Sequence, residues 1–272
     1  MKSNTLIINR KGDLEYITFP KLVRCGVVRH TFSTRLGGAS TAKFSSMNLS
    51  FRNGDSRENV EKNYEILCGA VGIDTSHLVL SRQTHTNNVI VVSKDDCGTG
   101  YSKPSFEDID GLITNQSGVA LVTQYADCTP LLFCDPVKRV IATSHAGWRG
   151  TVKEIGRVTV EKMHSEFGCE PGDIIAAIGP CIGQCCYEVD DPVYNEFKKL
   201  SVDVSSAFIN KNNGKYMLDL ALANKLILLD SGIKEENLDV TDICTCCNSD
   251  ELHSHRATAG KRGNLAAIIE LI

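Results

Sequence analysis

The stretch "ADCTPLLFCDPVKRVIATSHAGWRG", Ala126 to Gly150, decides how the rest of the chain is read. Two apolar runs, "PLLFCDP" and "RVIATSHAG", flank "DPVKR", a turn signal. Both runs are apolar on both faces, which predicts strands of a sheet covered on each side. A third apolar run, "GVALVTQYAD", leads into Cys128, and the strands before and after that cysteine are expected to be neighbours in a central sheet. Cys128 and Cys134 sit along these runs, and His145 is trailed by glycines and the single tryptophan. The stretch therefore reads as a reactive thiol, a metal site, or a packed strand containing two small soft residues.

Outward from it, strands and helices alternate without a repeat. "HLVLSRQ" and "NNVIVVS" read as strands on either side of a turn carrying His85. "TVKEIGRVTVEKMHSEFG" places Val152, Ile155, Val158, Val160 and Met163 at near-helical spacing and ends at Gly168. "DIIAAIGP", "NLDVTDICT" and "NLAAIIELI" read as strands. "DPVYNEFKKL" and "DLALANKLILLDSG" read as helices, the second closed by Gly232. No Pro/Gly/Ser-rich linker divides the chain, so residues 1–272 are expected to form one α/β domain.

Composition narrows the class. The chain has 272 residues, twelve cysteines and a formal net charge of −4. This length buries ample core, and the charge argues against a strongly basic nucleic-acid binder. The opening "MKSNTLIINRKGDLEYITF" has no sustained apolar core, and no run approaches a membrane span of about 20 residues. A cytoplasmic location is the expectation, and with it reduced cysteines. Isolated cysteines such as Cys25, Cys68, Cys97 and Cys169 are expected to be small buried hydrophobes.

Three residues with metal-binding chemistry, His85, Cys128 and His145, fall at strand ends, separated by 43 and 17 residues. Two histidines and a cysteine are one known set for catalytic zinc, and their softness also suits copper. The glycines around Trp148 and Arg149 permit a tight backbone path, and an arginine beside a thiol suggests an anionic ligand. "CTCC", Cys244 to Cys247, contains a C-x-x-C pair. A zinc ribbon would need a second such pair at short range, and Cys181, Cys185 and Cys186 lie about sixty residues upstream without that spacing, so a structural zinc is not expected there. "RLGGAS" is not a P-loop, and a dinucleotide fingerprint is absent.

Taken together, "FSTRLGGAS", "SSMNLSFRNGDSRENVEKN", "SRQTHTNNV", "DIDGLIT", "YADCTPLLFCDP", "SHAGWRGTV", "AAIGPCIGQCCYEVD" and "DICTCC…HSHRATAGKRG" resemble, in order, the YfiH-like, laccase-domain family, also called polyphenol oxidase or purine nucleoside phosphorylase. The resemblance runs from about Thr31 to the C-terminus. It implies a single compact domain of α/β/β/α layers with a mixed sheet core. It implies a zinc site made by His85, Cys128 and His145, catalytic through the metal. It also implies phosphorolysis of adenosine, inosine and methylthioadenosine, with adenosine deamination beside it. The family's "QVHG" reads "QTHT" here, which leaves His85 in place. Its closing "GR" reads "GKRG", which leaves Lys261 and Arg262 without an assigned role.

Zinc with an open position generates a nucleophilic water near neutral pH, as deamination at C6 of adenine requires. Phosphorolysis needs a phosphate held near C1′, and Arg35, Arg149 and Arg256 in the motif segments are the candidates to bind it. Gln83 or Asp127 is the candidate partner for a ligating imidazole or for substrate. Two other readings remain open. One is a copper-dependent polyphenol oxidase, which the seven histidines and the absence of a methionine near the three ligands disfavour. The other is a metal-free cysteine hydrolase with Cys128 as nucleophile and His145 as base. The expected partners are purine nucleosides and phosphate, without nucleic acid or membrane; the oligomeric state is not legible.

Overall fold

The "DPVKR" turn joins two antiparallel strands, β9 (Thr129–Asp135) and β10 (Val140–Ala146), in register from Asp135 opposite Val140 to Thr129 opposite Ala146. They are the middle of a six-stranded mixed sheet in the computed structural model, which describes residues 1–272. From edge to edge its order is β15 (Leu238–Val240), β11 (Ile175–Ile178), β9, β10, β7 (Gly111–Thr114) and β5 (Val89–Val91). A seven-stranded mixed sheet runs β1 (Ile7–Lys11), β2 (Leu14–Thr18), β3 (Val28–Ser33), β16 (Leu265–Leu271), β8 (Ala120–Tyr125), β4 (Leu78–Arg82) and β6 (Phe106–Glu107). A small third sheet, β12 (Glu188–Asp190), β14 (Lys215–Leu218) and β13 (Phe208–Asn210), stands beside them.

One expectation about this centre is overturned. The strands on either side of Cys128 are β8 and β9, and they belong to different sheets. Ala126–Cys128 carry the chain from one sheet to the other, with Asp127 in the left-handed region at φ 83°, where aspartate is among the better tolerated residues. A short connection limits the distance between two strands but not the direction of the second. This turn sends β9 across the core instead of back alongside β8.

The two large sheets pack face to face, and alternation along each strand divides its side chains between two cores. Leu265, Ala267 and Ile269 of β16 meet Leu132 and Cys134 of β9 between the sheets. Cys134 is fully buried there, so this second cysteine is a packing residue. Ala266 and Ile268 turn outward to α2 (Arg57–Val71), and Leu131 and Phe133 turn outward to α4 (Ile155–Phe167) and α6 (Leu220–Asp230). The result is the expected α/β/β/α arrangement. Each fully buried Leu, Ile or Phe contributes roughly 1.5–3 kcal/mol, which is why both faces of β9 and β16 are apolar.

The helices follow from local chemistry. In α2, Val60, Tyr64, Leu67 and Cys68 form one apolar stripe; Ser56 accepts the Asn59 N–H at its start and Gly72, at φ 74°, ends it. The single helix expected after Gly150 is two pieces: α3 (Trp148–Val152) and α4, separated at Glu154, which adopts φ 53°. The break lets α3 turn across the end of β10, while α4 runs on to Gly168 as expected. Gly232 follows the last turn of α6 at φ 95°. The strand expected over "NLDVTDICT" is only the three residues of β15. Three short helices, α1 (Pro20–Cys25), α5 (Asp191–Phe197) and α7 (His255–Thr258), complete the chain. No helix is long and apolar enough to cross a membrane. Cys68 and Cys169 are buried as expected, whereas Cys25 and Cys97 are only partly so.

Candidate active site and metal centre

The crossing that overturns the strand pairing also makes the site. It delivers Cys128 to the ends of β8 and β9, beside His145 at the end of β10 and His85 in the loop between β4 and β5. One ligating atom from each lies within 4.8 Å of the others. Cys128 Sγ is 3.8 Å from His85 Nε2, and the two imidazoles meet edge to face with centroids 4.9 Å apart. Gly147 closes the group: a Cβ there would lie 2.8 Å from His85 Cδ2 and 2.9 Å from Cys128 Sγ. Only glycine lets the start of α3 pass so close to both side chains.

The side chain bonded to a ligating imidazole is that of Asp110, which meets His145, whereas Gln83 and Asp127 bond neither ring. Asp110 is fully buried just ahead of β7. Its Oδ1 is 2.8 Å from His145 Nδ1, which leaves Nε2 facing the cluster. The same carboxylate accepts the main-chain N–H groups of Thr84, His85 and Thr86, and so holds the loop in which His85 adopts φ 67°. Burial opposes ionisation of Asp110, but the His145 imidazole and the Thr86 donors outweigh it and hold the carboxyl at about 2. Burial likewise opposes charge on Cys128, yet the adjacent His145 and His85 lower its pKa. The reciprocal effect, against the same burial, raises His145 through Cys128 and Asp110. These shifts pair a Cys128 thiolate with a protonated His145, and a soft divalent metal would take the thiolate and the imidazoles as donors in exchange for that proton.

Gln83 and Asp127 both line the cavity that opens from the cluster, and each is also bonded to neighbouring parts of the chain. The Gln83 amide pairs with the Gln124 main chain in both directions, at 2.7 and 2.9 Å. Asp127 accepts from the Thr245 hydroxyl and the Arg256 N–H, each at 2.6 Å. It thereby pins the segment before α7 to the sheet crossing.

The cluster opens into a cavity of about 500 Å³. Of the arginines expected on it, Arg149 and Arg256 are on its wall. Arg149 stacks on Trp148, 4.3 Å from the ring centroid. Arg256 lies over Tyr187 and donates to the Cys186 and Glu188 carbonyls. Arg35 is not brought to it; its guanidinium donates to the Ser45 and Ser249 carbonyls and ties two loops together. Two arginines without an assigned role in the sequence, Arg52 and Arg262, stand on the wall instead. Arg262 carries a buried Nε that has no hydrogen-bond partner. Asp127 is the only carboxylate among the lining residues, so the cavity attracts anions although the chain is acidic overall. Trp148, Tyr187, Ile182 and Leu220 supply an apolar side.

This fold and site define a class: a layered α/β protein with a two-histidine, one-cysteine cluster at the end of a basic cavity. The chain belongs to the family described as multi-copper polyphenol oxidoreductase laccase, which matches residues 29–272. It is 38% identical to a protein named purine nucleoside phosphorylase YlmD from Bacillus subtilis over 88% of this chain and 86% of that one. The crystal structure of YlmD from Geobacillus stearothermophilus matches with a TM-score of 0.91 at 31% identity, covering 98% of this chain and 99% of that one. A Bacillus licheniformis hypothetical protein, YfiH, matches with a TM-score of 0.92 at 30% identity, covering 97% and 99%.

Proposed function

We propose that this chain, acting as one domain over residues 1–272, is a zinc-dependent purine nucleoside phosphorylase of the cytoplasm with adenosine deaminase activity beside it. The observation that carries the reading is the joining of the His85–Cys128–His145 cluster to a cavity walled by Arg52, Arg149, Arg256 and Arg262. The names of the relatives support its phosphorylase part alone. The substrates in this reading are free purine nucleosides and inorganic phosphate.

In phosphorolysis a phosphate oxygen bonds to C1′ of the ribose. The bond from C1′ to the purine nitrogen breaks, its electron pair leaves with the base, and the base takes up a proton. Arginine forks suit the phosphate, because they bind two oxygens at once and neutralise its charge. Trp148 and Tyr187 suit the flat face of the purine. Zinc held by His85, Cys128 and His145 would supply Lewis acidity at the end of the cavity. Asp110 keeps His145 in the tautomer that presents Nε2, and the charge of the Cys128 thiolate favours a cation there.

The thiolate between two imidazoles also favours a second reading, a cysteine hydrolase using Cys128 and His145. It makes no use of His85. The test is to incubate the zinc-loaded protein with adenosine, with and without phosphate. Phosphate-dependent release of adenine is expected, with ribose-1-phosphate equal to the adenine and hypoxanthine formed together, along with some inosine. Adenine release that needs neither phosphate nor metal would overturn the reading. Copper is the competing metal for the same donors, and elemental analysis of protein purified without added metal distinguishes the two.

A further inference from the structure

Four cysteines outside the active site come together at the surface. The sequence spacing argues against a second metal site, but Cys185, Cys186, Cys244 and Cys247 have all four sulfurs within 4.8 Å of one another. Cys247 Sγ is 3.4 Å from both Cys185 Sγ and Cys186 Sγ. Two segments about sixty residues apart are aligned by a parallel bridge between Cys181 and Cys244, with the Thr245 N–H bonded to the Cys181 carbonyl at 2.9 Å.

We propose that these four thiols form a structural site for a zinc ion, separate from the His85–Cys128–His145 cluster. Three observations carry this. The first is distance: tetrahedral zinc–thiolate bonds of about 2.3 Å put neighbouring sulfurs about 3.8 Å apart, close to the spacing found. The second is the hydrogen bonding of Cys244, whose Sγ accepts main-chain N–H groups from Gly183 at 3.1 Å and Cys247 at 3.5 Å. Donors aimed at sulfur stabilise the thiolate that a metal requires. The third is Gly183, where a Cβ would lie 3.0 Å from Cys244 Cβ and 3.3 Å from Cys185 Sγ. The loop is built to let its backbone approach the sulfurs.

Burial does not explain the group, since Cys185 and Cys247 are exposed and cysteine ordinarily lies inside. A disulfide does not explain it well either, because Cys247 stands equally near two candidate partners. Binding of one Zn²⁺ by four thiols would release up to four protons. The ion would then clamp the 181–187 loop, which carries Ile182 and Tyr187 to the cavity, onto the 244–248 segment. Arg256, bonded to the Cys186 carbonyl, would be held by the same clamp. None of this depends on which reaction the cavity performs.

The test is metal counting on reduced protein, stripped with a chelator and reloaded with zinc alone. Two zinc ions per chain are expected, falling to one in His85→Ala, one in Cys247→Ser, and remaining two in the control Cys246→Ser. Cobalt-loaded His85→Ala should show the intense near-ultraviolet charge-transfer band of tetrahedral thiolate ligation. Should Cys247→Ser not fold, Gly183→Ala keeps all four ligands and should weaken the second zinc by about tenfold or more, read by competition with a chromophoric chelator. The proposal is overturned by a single zinc per wild-type chain that His85→Ala removes and Cys247→Ser leaves in place. It is also overturned by a count of two that Cys247→Ser leaves unchanged, or by an intact mass two hydrogens lighter without a second metal, which marks a disulfide.

Discussion

Asp110 Oδ1 lies 2.8 Å from His145 Nδ1, and the same buried carboxylate accepts the main-chain N–H of His85. One acidic side chain thus sets the ring orientation of one candidate ligand and the loop position of another. Asp110→Asn keeps the size but replaces an anionic acceptor, and should lower zinc affinity at the active site by about 10- to 100-fold. Chelator competition measures it; an unchanged affinity would remove Asp110 from the orienting role.

His85→Ala, Cys128→Ala and His145→Ala should each lose active-site zinc together with both nucleoside activities, and each should remain folded by circular dichroism. His85 lies in a loop, and Cys128 and His145 stand at strand ends on the margin of the apolar layer between the sheets, which they touch without forming its centre. A cysteine hydrolase predicts a different pattern: His85 dispensable and chelation harmless. Retained adenosine phosphorolysis in His85→Ala protein verified to lack metal would falsify the zinc reading.

Gly147→Ala tests the closure of the cluster without removing a ligand. Gly147 has φ −66°, so alanine brings no backbone strain, only a Cβ 2.8 Å from His85 and 2.9 Å from Cys128. One of the two must move. Zinc affinity should fall while Tm changes little, as read by metal titration and thermal melting of the same sample.

Arg149→Lys should reduce phosphorolysis about tenfold in kcat/KM and deamination less, because it keeps the charge and loses the bidentate fork. Arg35→Ala should act on stability instead. It breaks contacts to the Ser45 and Ser249 carbonyls, so it should lower Tm and leave the KM for phosphate near the wild-type value. Equal losses of both activities in Arg149→Lys would mark a structural or purine-binding role.

Two groups should shape the acid limb of stability in different windows. Burial holds His30 at about 4, below its unfolded value near 6.5, while its Nε2 accepts the Phe19 N–H at 2.9 Å. Its contribution is full above about pH 6.5 and is lost as pH falls through 4, on the order of 3 kcal/mol. Asp110, held at about 2 against an unfolded value near 3.9, contributes about 3 kcal/mol that is lost only below about pH 4. Urea unfolding of His30→Gln across pH 4–7 should show a flatter upper limb. An identical slope would assign that limb to other groups.

Much of the site was legible before the structure. "YADCTP" and "SHAGWRG" point to Cys128 and His145, and "QTHT" to His85, because cysteine and histidine carry ligand chemistry in their own side chains, with glycines marking only His145. The layered fold is legible in "PLLFCDP" and "NLAAIIELI", since a strand buried on both faces is apolar along most of its length, Glu270 being the exception that pairs with His77. The helix α2 was missed although Ser56 and the spacing of Val60, Tyr64 and Leu67 announce it. Asp110 stood in "DIDGLIT" and was passed over, as nothing local to that segment shows which imidazole it reaches.

The sequence by itself determined many of the elements, the apolar faces and the identity of the three candidate ligands, because periodicity and residue chemistry act over a few neighbouring positions. Only the tertiary structure decided that β8 and β9 part into separate sheets, since a three-residue connection is equally compatible with turning back and crossing over. It also decided that Arg52 and Arg262 stand on the cavity wall while Arg35 does not, and that four cysteines from segments about sixty residues apart share one corner. These are long-range facts: the direction of a single left-handed turn at Asp127 and one bridge between Cys181 and Cys244 bring together residues whose spacing along the chain carries no trace of the meeting.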